Sequence, residues 1–309
     1  MKATFSILVT VYNKENYVWK TIDSVFKQSY KDWELIIIDN NSSDSSFKVL
    51  EDVLGSFKGS NNIILKKFIN RQGPGASRNY ALNYATGDWV LFLDGDDLLK
   101  QNYLLKLAEI VKENKESEVI VGRWCKLQNG KIGKPISSGI LERTNCIEDT
   151  AVAYAPWILH AAIIKRSILN LQNLWDETLD KYVSEDTAFW FKLTYQREVV
   201  FTDYCGAVYR ILDNSRDHTN SDKYVKGVLE VVKSNVRWIS SVGKMSKRQH
   251  ESVFRLLESL NDRFHISKSN REYWELLNLH LHNSPNSLSM SLRRILGFPV
   301  FNVIKTLFL

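Results

Sequence analysis

The chain is poor in cysteine, has no long hydrophobic run and carries only a small excess of charge. Its three cysteines, Cys125, Cys146 and Cys205, are odd in number and lack the spacing of a metal site, so we expect free thiols in a reducing compartment. No apolar segment reaches the roughly 20 residues that span a bilayer. The N-terminal stretch has no small-residue cleavage site of a secretion signal. These absences predict a cytoplasmic protein, either free or at the inner face of the cell membrane.

The net charge of the chain does not identify a class of binding partner either. Lys and Arg number 41 against 35 Asp and Glu, and this net charge of +6 is too small to indicate a nucleic-acid partner. It is compatible with an anionic ligand or membrane surface. Residues 290–309 combine Arg293, Arg294 and Lys305 with many apolar residues. This segment is typical of a peripheral membrane contact, but it could equally dock on its own chain or form a homo-oligomer contact.

Strand and helix patterns alternate through the first hundred residues. The pattern predicts a mostly parallel sheet with helices on both faces, which is an α/β fold, and ligands then bind beyond the carboxyl ends of the strands. Helical or loop segments are expected around 156–170 and 184–196, and the chain turns mainly helical after about residue 220. The predicted strands are 5–12, 33–39, 62–68 and 89–94, and the predicted helices between them are 16–29, 45–57 and 75–85.

The last of these strands ends in a cluster of acids. The sequence VLFLDGDD places Asp94, Asp96 and Asp97 within four positions, where like charges repel. A divalent cation removes that repulsion, and Mg²⁺ and Mn²⁺ favour oxygen ligands supplied by one or two carboxylates, phosphates and water. Alternatively, Asp97 caps a helix that begins near Leu98. Capping could explain Asp97 but not all three acids, so the cluster favours a divalent cation that also binds a phosphate.

Three stretches together resemble a known family. They are residues 6–46, residues 70–97 and the sequence SEDTAFWFKL at 184–193. In this order and at this spacing they resemble the family-2 glycosyltransferases of bacterial surface-polysaccharide synthesis, which have the GT-A fold. The resemblance covers residues 4–215. It implies a catalytic domain at 1–215, with a nucleotide-binding half at 1–98 and an acceptor-binding half at 99–215, followed by a smaller helical region at 216–309.

The resemblance implies roles in binding the donor. Asp96 would be the direct ligand of Mn²⁺ or Mg²⁺, Asp94 would contact the donor ribose and help at the metal, and Asp39 would accept a hydrogen bond from the nucleobase. The chain departs from the family after the second strand, where Asn40 and Asn41 replace an acid and a glycine. Asn41 can adopt the left-handed conformation that glycine would supply. The nucleotide would also be bordered by Thr10, Tyr12, Arg71 and Arg78.

The resemblance places the catalytic base at Asp186. This residue would take the proton of the acceptor hydroxyl while that oxygen attacks the anomeric carbon. A carboxylate base with a metal-stabilised leaving group implies inversion at the anomeric centre, and Glu185 would orient the site or contact the acceptor. The plainer interpretation is that Ser184 caps a helix whose first turn favours acids.

Two further regions have roles only by resemblance. A loop containing Arg216 and His218 would close over the diphosphate together with Arg210, and His218 would add a metal ligand. The alternative is an ordinary solvated loop. Trp157 would shape the acceptor pocket, or it belongs to the core.

The predicted function is therefore an inverting transfer of a hexose or N-acetylhexosamine from a UDP-sugar to a capsule, O-antigen or teichoic-acid glycan, free or lipid-linked. One alternative is a nucleotidyltransferase on a similar fold, but TVYNKENY after the first strand lacks its Gly-rich signature. The other is a non-catalytic module that binds sugar or calcium, which the pairing of DGDD with Asp186 disfavours. The sugar, the acceptor and the oligomeric state are not encoded in these motifs.

Overall fold

A computed structural model describes residues 4–69, 73–137, 147–169, 174–182, 184–212 and 221–296. Within these ranges the chain forms one sheet and a set of helices on its faces and at its C-terminal end. The strands are β1 (Phe5–Val11), β2 (Trp33–Asp39), β3 (Ile63–Lys67), β4 (Trp89–Asp94), β5 (Leu98–Leu99), β6 (Val119–Gln128), β7 (Lys131–Ile132), β8 (Ala162–Lys165) and β9 (Val199–Arg210). The helices are α1 (Val18–Phe26), α2 (Ser46–Gly55), α3 (Pro74–Leu82), α4 (Tyr103–Glu113), α5 (Ile147–Ala151), α6 (Glu185–Thr194), α7 (Ser221–Val242), α8 (Lys247–Phe264), α9 (Arg271–Asn283) and α10 (Leu288–Leu296).

The sheet has the strand order β3-β2-β1-β4-β8-β6-β9-β5, with β7 paired to β6. Its first four strands are parallel, as predicted. Every residue of β2 is buried, which is the pattern of a parallel strand covered by helices on both faces. Parallel strands end at one edge of the sheet, and this edge carries Val11, Asp39 and Asp94.

The second half of the sheet is mixed and corrects two predictions. The segment 156–170, expected to be helix or loop, has short 3-10 helices at Leu159–Ala161 and Arg166–Ile168, but between them it forms β8, which pairs antiparallel with both β4 and β6. Short apolar runs of this kind do not distinguish a central strand from a buried helix. No helix begins near Leu98, because Leu98 and Leu99 form β5 and pair with β9, and the helix starts at Tyr103.

The last four described helices form a second hydrophobic cluster beside the sheet. This cluster includes buried residues of α7, α8 and α9 together with Phe191 of α6. The neighbouring Phe189 and Trp190 of α6 belong instead to the core of the sheet. Helix α6 is thus held between both clusters, which fixes the position of its N-terminal residues. The predicted division at residue 215 lies in 213–220, outside the described residues.

Helix α10 shows how the first part of segment 290–309 is used. Its Arg293 is buried and donates to Glu258 of α8 at 2.6 and 3.2 Å. Arg294 donates to the backbone carbonyls of Leu281 and Ser284 at 3.0 and 2.6 Å. Both arginines therefore make contacts within the chain, while residues 297–309 lie outside the described part. Among the described helices, none has the length and apolar character of a membrane span.

Candidate active site

The carboxyl ends of β1, β2 and β4 bring several of the predicted residues to one edge. Asp39 and Asp94 are the last residues of β2 and β4, and Thr10 is the register partner of Asp94. The Thr10 hydroxyl donates to Asp94 at 3.5 Å, and Gly95 N donates to the Thr10 carbonyl at 3.0 Å. The turn after β4 is thereby held against β1.

Asp39 is fully buried, and only one of its two carboxylate oxygens has a hydrogen-bond partner among the described residues. Its Oδ2 accepts the backbone N–H of Ser42 at 3.1 Å, whereas Oδ1 has no hydrogen-bond partner among the described residues. A buried acceptor left unpaired costs free energy unless a ligand supplies a donor. Asn41 has a φ of 52°, so the left-handed conformation expected from its sequence is confirmed. Tyr12, which follows β1, is half-buried.

The loops after β1 and β2 are hydrogen-bonded to each other. Asn13 N donates to the Ser42 hydroxyl at 3.0 Å, and Asn13 Oδ1 accepts the N–H of Ser43 at 2.9 Å. Lys14 N donates to the Ser46 hydroxyl at 2.6 Å. These bonds position the Lys14 side chain, whose Nζ lies 2.5 Å from Asp96 Oδ2. The motifs did not indicate Lys14, because its partner is 82 residues away in the chain.

The three acids after β4 have different surroundings. Burial raises the pKa of Asp96, and Lys14 opposes that rise while Asp94 adds to it. Asp97 is buried, and burial together with the charges of Asp96 and Asp94 raises its pKa well above the ordinary value. The ionised form of all three acids at once is therefore unfavourable. A bound cation would stabilise that form by offsetting the repulsion between the carboxylates.

Asp97 has a structural role other than the helix cap considered from the sequence. Its Oδ1 accepts the backbone N–H of Arg210 at 2.7 Å, and its Oδ2 lies 3.3 Å from His160 Nδ1. Burial lowers the pKa of His160 to about 4, so the imidazole is neutral near pH 7. Arg210 Nε also donates to the Asp96 carbonyl at 2.7 Å. Arg210 thus holds the acidic turn against β9.

Arg78 of α3 connects the two acidic motifs. Its guanidinium donates to Asp94 Oδ1 at 2.9 Å and to Glu185 Oε1 at 3.1 Å, and it stacks 4.4 Å from the centre of the Trp175 ring. The side chain is only 5 % exposed. Burial alone would raise the pKa of Asp94, but the charge and hydrogen bond of Arg78, together with smaller contributions from His160 and Lys14, outweigh burial and the pKa is lowered. Asp94 is therefore ionised at neutral pH.

The environment of Asp186 raises the pKa of its carboxyl, whereas the environment of Asp94 lowers it. Asp186 lies in the first turn of α6, beside Glu185. Burial, then the charge of Glu185, raises its pKa to about 7, and Arg78 and the N–H of Thr187 oppose the rise. A carboxyl that titrates near neutrality can accept a proton efficiently at that pH. Ser184 does not cap the helix as considered above, because it adopts a left-handed φ of 64° and its side chain makes no cap hydrogen bond.

Asp180 is a site-supporting residue that the motifs did not reveal. Its two carboxylate oxygens accept the N–H groups of Gly75 and Ala76, at 2.7 and 2.9 Å, at the start of α3. Gly73 has a φ of 120°, and a Cβ on Gly75 would lie 2.6 Å from Asp180 Oδ1. The glycines of the GPG turn therefore admit the carboxylate that fixes α3 and its Arg78. The GPG turn was the only sequence signal for this contact.

Several predicted residues do not enter this arrangement. Arg71, Arg216 and His218 lie outside the described residues. Trp157 is 3 % exposed and packs edge-on against Trp190 and Phe201, so the structure places it in the core.

Comparison with known proteins gives a consistent assignment. The family described as glycosyl transferase family 2 matches residues 6–170, slightly more than half of the chain. A match of this length includes β1, β2, β4 and the acidic turn that follows β4.

Two curated relatives and one solved structure illustrate the likeness. The poly(ribitol-phosphate) beta-glucosyltransferase of Bacillus spizizenii is 32% identical over 142 residues, which is 45% of this chain and only 21% of that protein. The poly(ribitol-phosphate) beta-N-acetylglucosaminyltransferase TarP of Staphylococcus aureus is 28% identical over 264 residues, 80% of this chain and 76% of that protein. The crystal structure of S. aureus TarS 1-349 in complex with UDP-GlcNAc superposes with a TM-score of 0.61 at 20% identity, covering 91% of this chain and 82% of that one. This structural likeness establishes the GT-A-like fold.

Proposed function

The chain belongs to glycosyl transferase family 2, and from this membership we propose that it transfers a hexose or N-acetylhexosamine from a UDP-sugar to a hydroxyl of a growing surface glycan. Asp186 acts as the base, and the product has the inverted anomeric configuration. The relatives named above act on poly(ribitol-phosphate), so we propose a teichoic-acid-type or lipid-linked glycan as the acceptor.

One observation carries this proposal. Asp94 of the DGDD motif and Glu185 of the SED motif are 91 positions apart in the sequence, yet both bind the guanidinium of Arg78. The donor-side acid and the base-bearing helix are therefore neighbours in one buried ion network. A transferase needs this proximity, because the acceptor oxygen has to reach the anomeric carbon of the bound donor.

Asp94, which Arg78 binds, and Asp186, which Arg78 influences through its charge, have separated pKa values. Asp94 is ionised well below neutral pH, while the pKa of Asp186 is about 7. Such a separation is typical of sites in which one acid binds and the other transfers a proton. We assign the acceptor proton to Asp186. In this proposal a carboxylate base and a leaving diphosphate stabilised at the acidic turn act in a single in-line displacement, without a covalent sugar intermediate.

In this proposal the donor site takes a UDP moiety around one acceptor, Asp39 Oδ1, which has no hydrogen-bond partner among the described residues. Asp39 Oδ1 offers a buried acceptor for the N3–H of uracil, with Tyr12 and Thr10 at the end of the adjacent strand. The hard carboxylate oxygens of Asp94 and Asp96 fit Mn²⁺ or Mg²⁺. Among the described residues no group of three or more His, Cys, Asp and Glu is placed to hold a metal ion. In the proposed site a Mn²⁺ or Mg²⁺ ion would take its remaining ligands from the diphosphate and from water. When bound, the cation would stabilise the charge of the leaving diphosphate.

The distribution of charge supports an anionic acceptor. Residues 221–309 contain 14 Lys and Arg against 7 Asp and Glu, whereas residues 1–220 contain 27 against 28. All of the net positive charge therefore lies in residues 221–309, and the described helices of this range pack against the helix that carries Asp186. An excess of positive charge near the acceptor side would concentrate polyanions, and this effect would weaken at high salt. A phosphodiester-linked glycan is such a polyanion.

Donor binding can be tested by calorimetric titration with UDP in the presence and absence of Mn²⁺. We expect metal-dependent binding for the wild type and for Asp186→Asn, and its loss in Asp96→Ala. The Asp186→Asn variant is the matched control, since it removes one acid of the same site on the acceptor side. Unchanged UDP binding in Asp96→Ala would contradict the metal assignment.

Proton transfer can be tested without knowing the acceptor. UDP release from UDP-GlcNAc and UDP-glucose, with water as the acceptor, reports turnover. Replacing a general base commonly costs a factor of about 10²–10⁴, so we expect Asp186→Asn to lose at least about 100-fold while its UDP affinity is retained. Normal turnover in this variant would remove Asp186 from its role.

A further inference from the structure

Two of the three cysteines form a close pair that the proposed transfer does not use. Cys125 lies on β6 and Cys205 on the adjacent strand β9, and their Sγ atoms are 2.7 Å apart. The β6–β9 ladder has register shifts at Arg123, on both sides of that residue. Cys205 is therefore the register partner of Arg123 and Cys125 that of Val208, and the two cysteines meet through their sulfurs along a diagonal of the ladder. A disulfide bond is about 2.04 Å long, so the sulfurs need to approach by only about 0.7 Å to form one.

A cation lies beside both sulfurs. Lys100 Nζ is 3.5 Å from Cys205 Sγ and 3.6 Å from Cys125 Sγ. Its position is fixed by the backbone, since Lys100 N donates to the Gly206 carbonyl at 2.8 Å. An ammonium group at this distance stabilises a thiolate, the form of cysteine that reacts with oxidants. The phenol rings of Tyr103 and Tyr204 also pack near this group.

The two thiols differ in access. Cys125 is 1 % exposed, while Cys205 is partly exposed. Burial and the neighbouring Cys125 thiol raise the pKa of Cys205 to about 11, and Lys100 works against that rise. Cys205 is therefore the sulfur that a solvent oxidant reaches first, but it reacts slowly, and Cys125 lies directly behind it to complete the bond.

We propose that Cys125 and Cys205 form an oxidisable dithiol that closes to a disulfide across β6 and β9 when the protein meets a two-electron thiol oxidant such as a peroxide. With hydrogen peroxide, the Cys205 thiol first loses its proton to solvent, and the thiolate attacks one oxygen. The O–O bond breaks, a sulfenic acid and hydroxide result, and the hydroxide takes up a proton from solvent to leave as water. The Cys125 thiol then attacks the sulfenic sulfur, the S–O bond breaks and a second water leaves. The two thiols lose two electrons in total, and the peroxide gains them.

The disulfide would cross-link the strand that supports the donor site. Cys205 precedes Arg210 on β9, and Arg210 holds the acidic turn through Asp96 and Asp97. The closed bond would join positions 80 residues apart, and long loops of this kind constrain the unfolded chain most. Oxidation should therefore raise the unfolding temperature and leave the sheet in place.

The test uses the full wild-type chain, so no variant has to fold for it to be decisive. The protein is treated with hydrogen peroxide over a time course, then denatured, alkylated and digested, and the peptides are identified by mass spectrometry. We expect a linked peptide pair containing Cys125 and Cys205, lost after reduction with dithiothreitol, and an alkylated Cys146. The Cys146→Ser variant should form the same link, and Cys205→Ser should form none.

Two results would overturn the proposal. One is complete alkylation of all three cysteines after oxidation, or irreversible oxidation of Cys205 without a link to Cys125. The other is a link that involves Cys146.

The role of Lys100 is tested separately by the rate of closure at pH 8. Lys100→Met should slow closure several-fold, whereas Lys106→Met, which removes an exposed lysine paired with Glu109, should not. Equal rates in these two variants would show that Lys100 does not activate the pair.

Discussion

Replacing Asp186 by asparagine should remove activity and at the same time stabilise the folded protein at neutral and alkaline pH. The ordinary pKa of an aspartate is 3.8, and the pKa of Asp186 in the folded protein is about 7. The folded state therefore keeps a proton that the unfolded state loses between these two values. Ionising Asp186 costs the folded state free energy, and asparagine, which has no charge to form, avoids this cost.

The size and the pH dependence follow from the same shift. Each pKa unit corresponds to about 1.4 kcal/mol, so the cost grows from zero below pH 4 to a ceiling of about 4 kcal/mol above pH 7. Because the carboxylate keeps some contact with solvent, we expect Asp186→Asn to gain about 2–4 kcal/mol in the free energy of unfolding at pH 8. At pH 5 the gain should be only about 1 kcal/mol, because the wild-type carboxyl is then largely protonated in the folded state.

Urea unfolding of the wild type and the variant at pH 5 and pH 8, followed by the fluorescence of the nine tryptophans, measures this difference. Asp52→Asn is the matched control, since Asp52 is 67 % exposed and pairs with Lys48 on the surface of α2. It should change the free energy of unfolding by less than about 0.5 kcal/mol at either pH. The argument predicts that the free energy of unfolding gained by Asp186→Asn depends on pH. An equal gain at pH 5 and pH 8, or a loss at pH 8, would refute the argument that an unfavourably buried carboxylate is kept at this position for catalysis.

Three further substitutions test the surrounding contacts. Arg78→Met should cost about 3 kcal/mol of unfolding free energy, because it leaves the carboxylates of Asp94 and Glu185 without their shared cation; a cost below about 1 kcal/mol in urea unfolding would contradict the buried network. Asp180→Ala should cost about 2 kcal/mol, since two N–H groups at the start of α3 lose their acceptor, and an unchanged midpoint of urea unfolding would argue against that capping role. Lys14→Met should enlarge the rise in unfolding temperature caused by Mn²⁺ alone, because the ammonium no longer competes for the carboxylate beside it; an equal rise in wild type and variant would exclude this competition.

Much of the fold and part of the candidate site follow from local sequence patterns. The apolar runs of β1, β2 and β4 are long enough to be recognised as buried strands, and their carboxyl ends lie at one edge of a parallel sheet. Asp39 and Asp94 could therefore be placed together from the sequence alone. Asn41 was also assigned correctly, since its left-handed backbone is a local preference of asparagine.

Contacts between distant segments were not predictable in this way. Strand β8 has four residues, and β5 has two, so neither has a pattern strong enough to identify it; they are strands because β4, β6 and β9 offer hydrogen-bond partners. The Trp157 ring was assigned with equal weight to a pocket and to the core, and only packing against Trp190 decided the question.

Which chemical groups this protein has, and at which strand ends they stand, follows from local sequence patterns. How these groups affect one another depends on which of them the fold brings together. Arg78 binds acids from two motifs, and Lys14 forms an ion pair with Asp96. Cys125 contacts Cys205 between the adjacent strands β6 and β9. Charge, burial and proximity set a pKa and a reactivity, and these depend on neighbours that are tens of residues away in the chain. Hydrophobic periodicity specifies the helix or strand of its own segment and can therefore be read locally. Electrostatic interactions and the reaction of two thiols instead require that groups from distant segments lie close together in space.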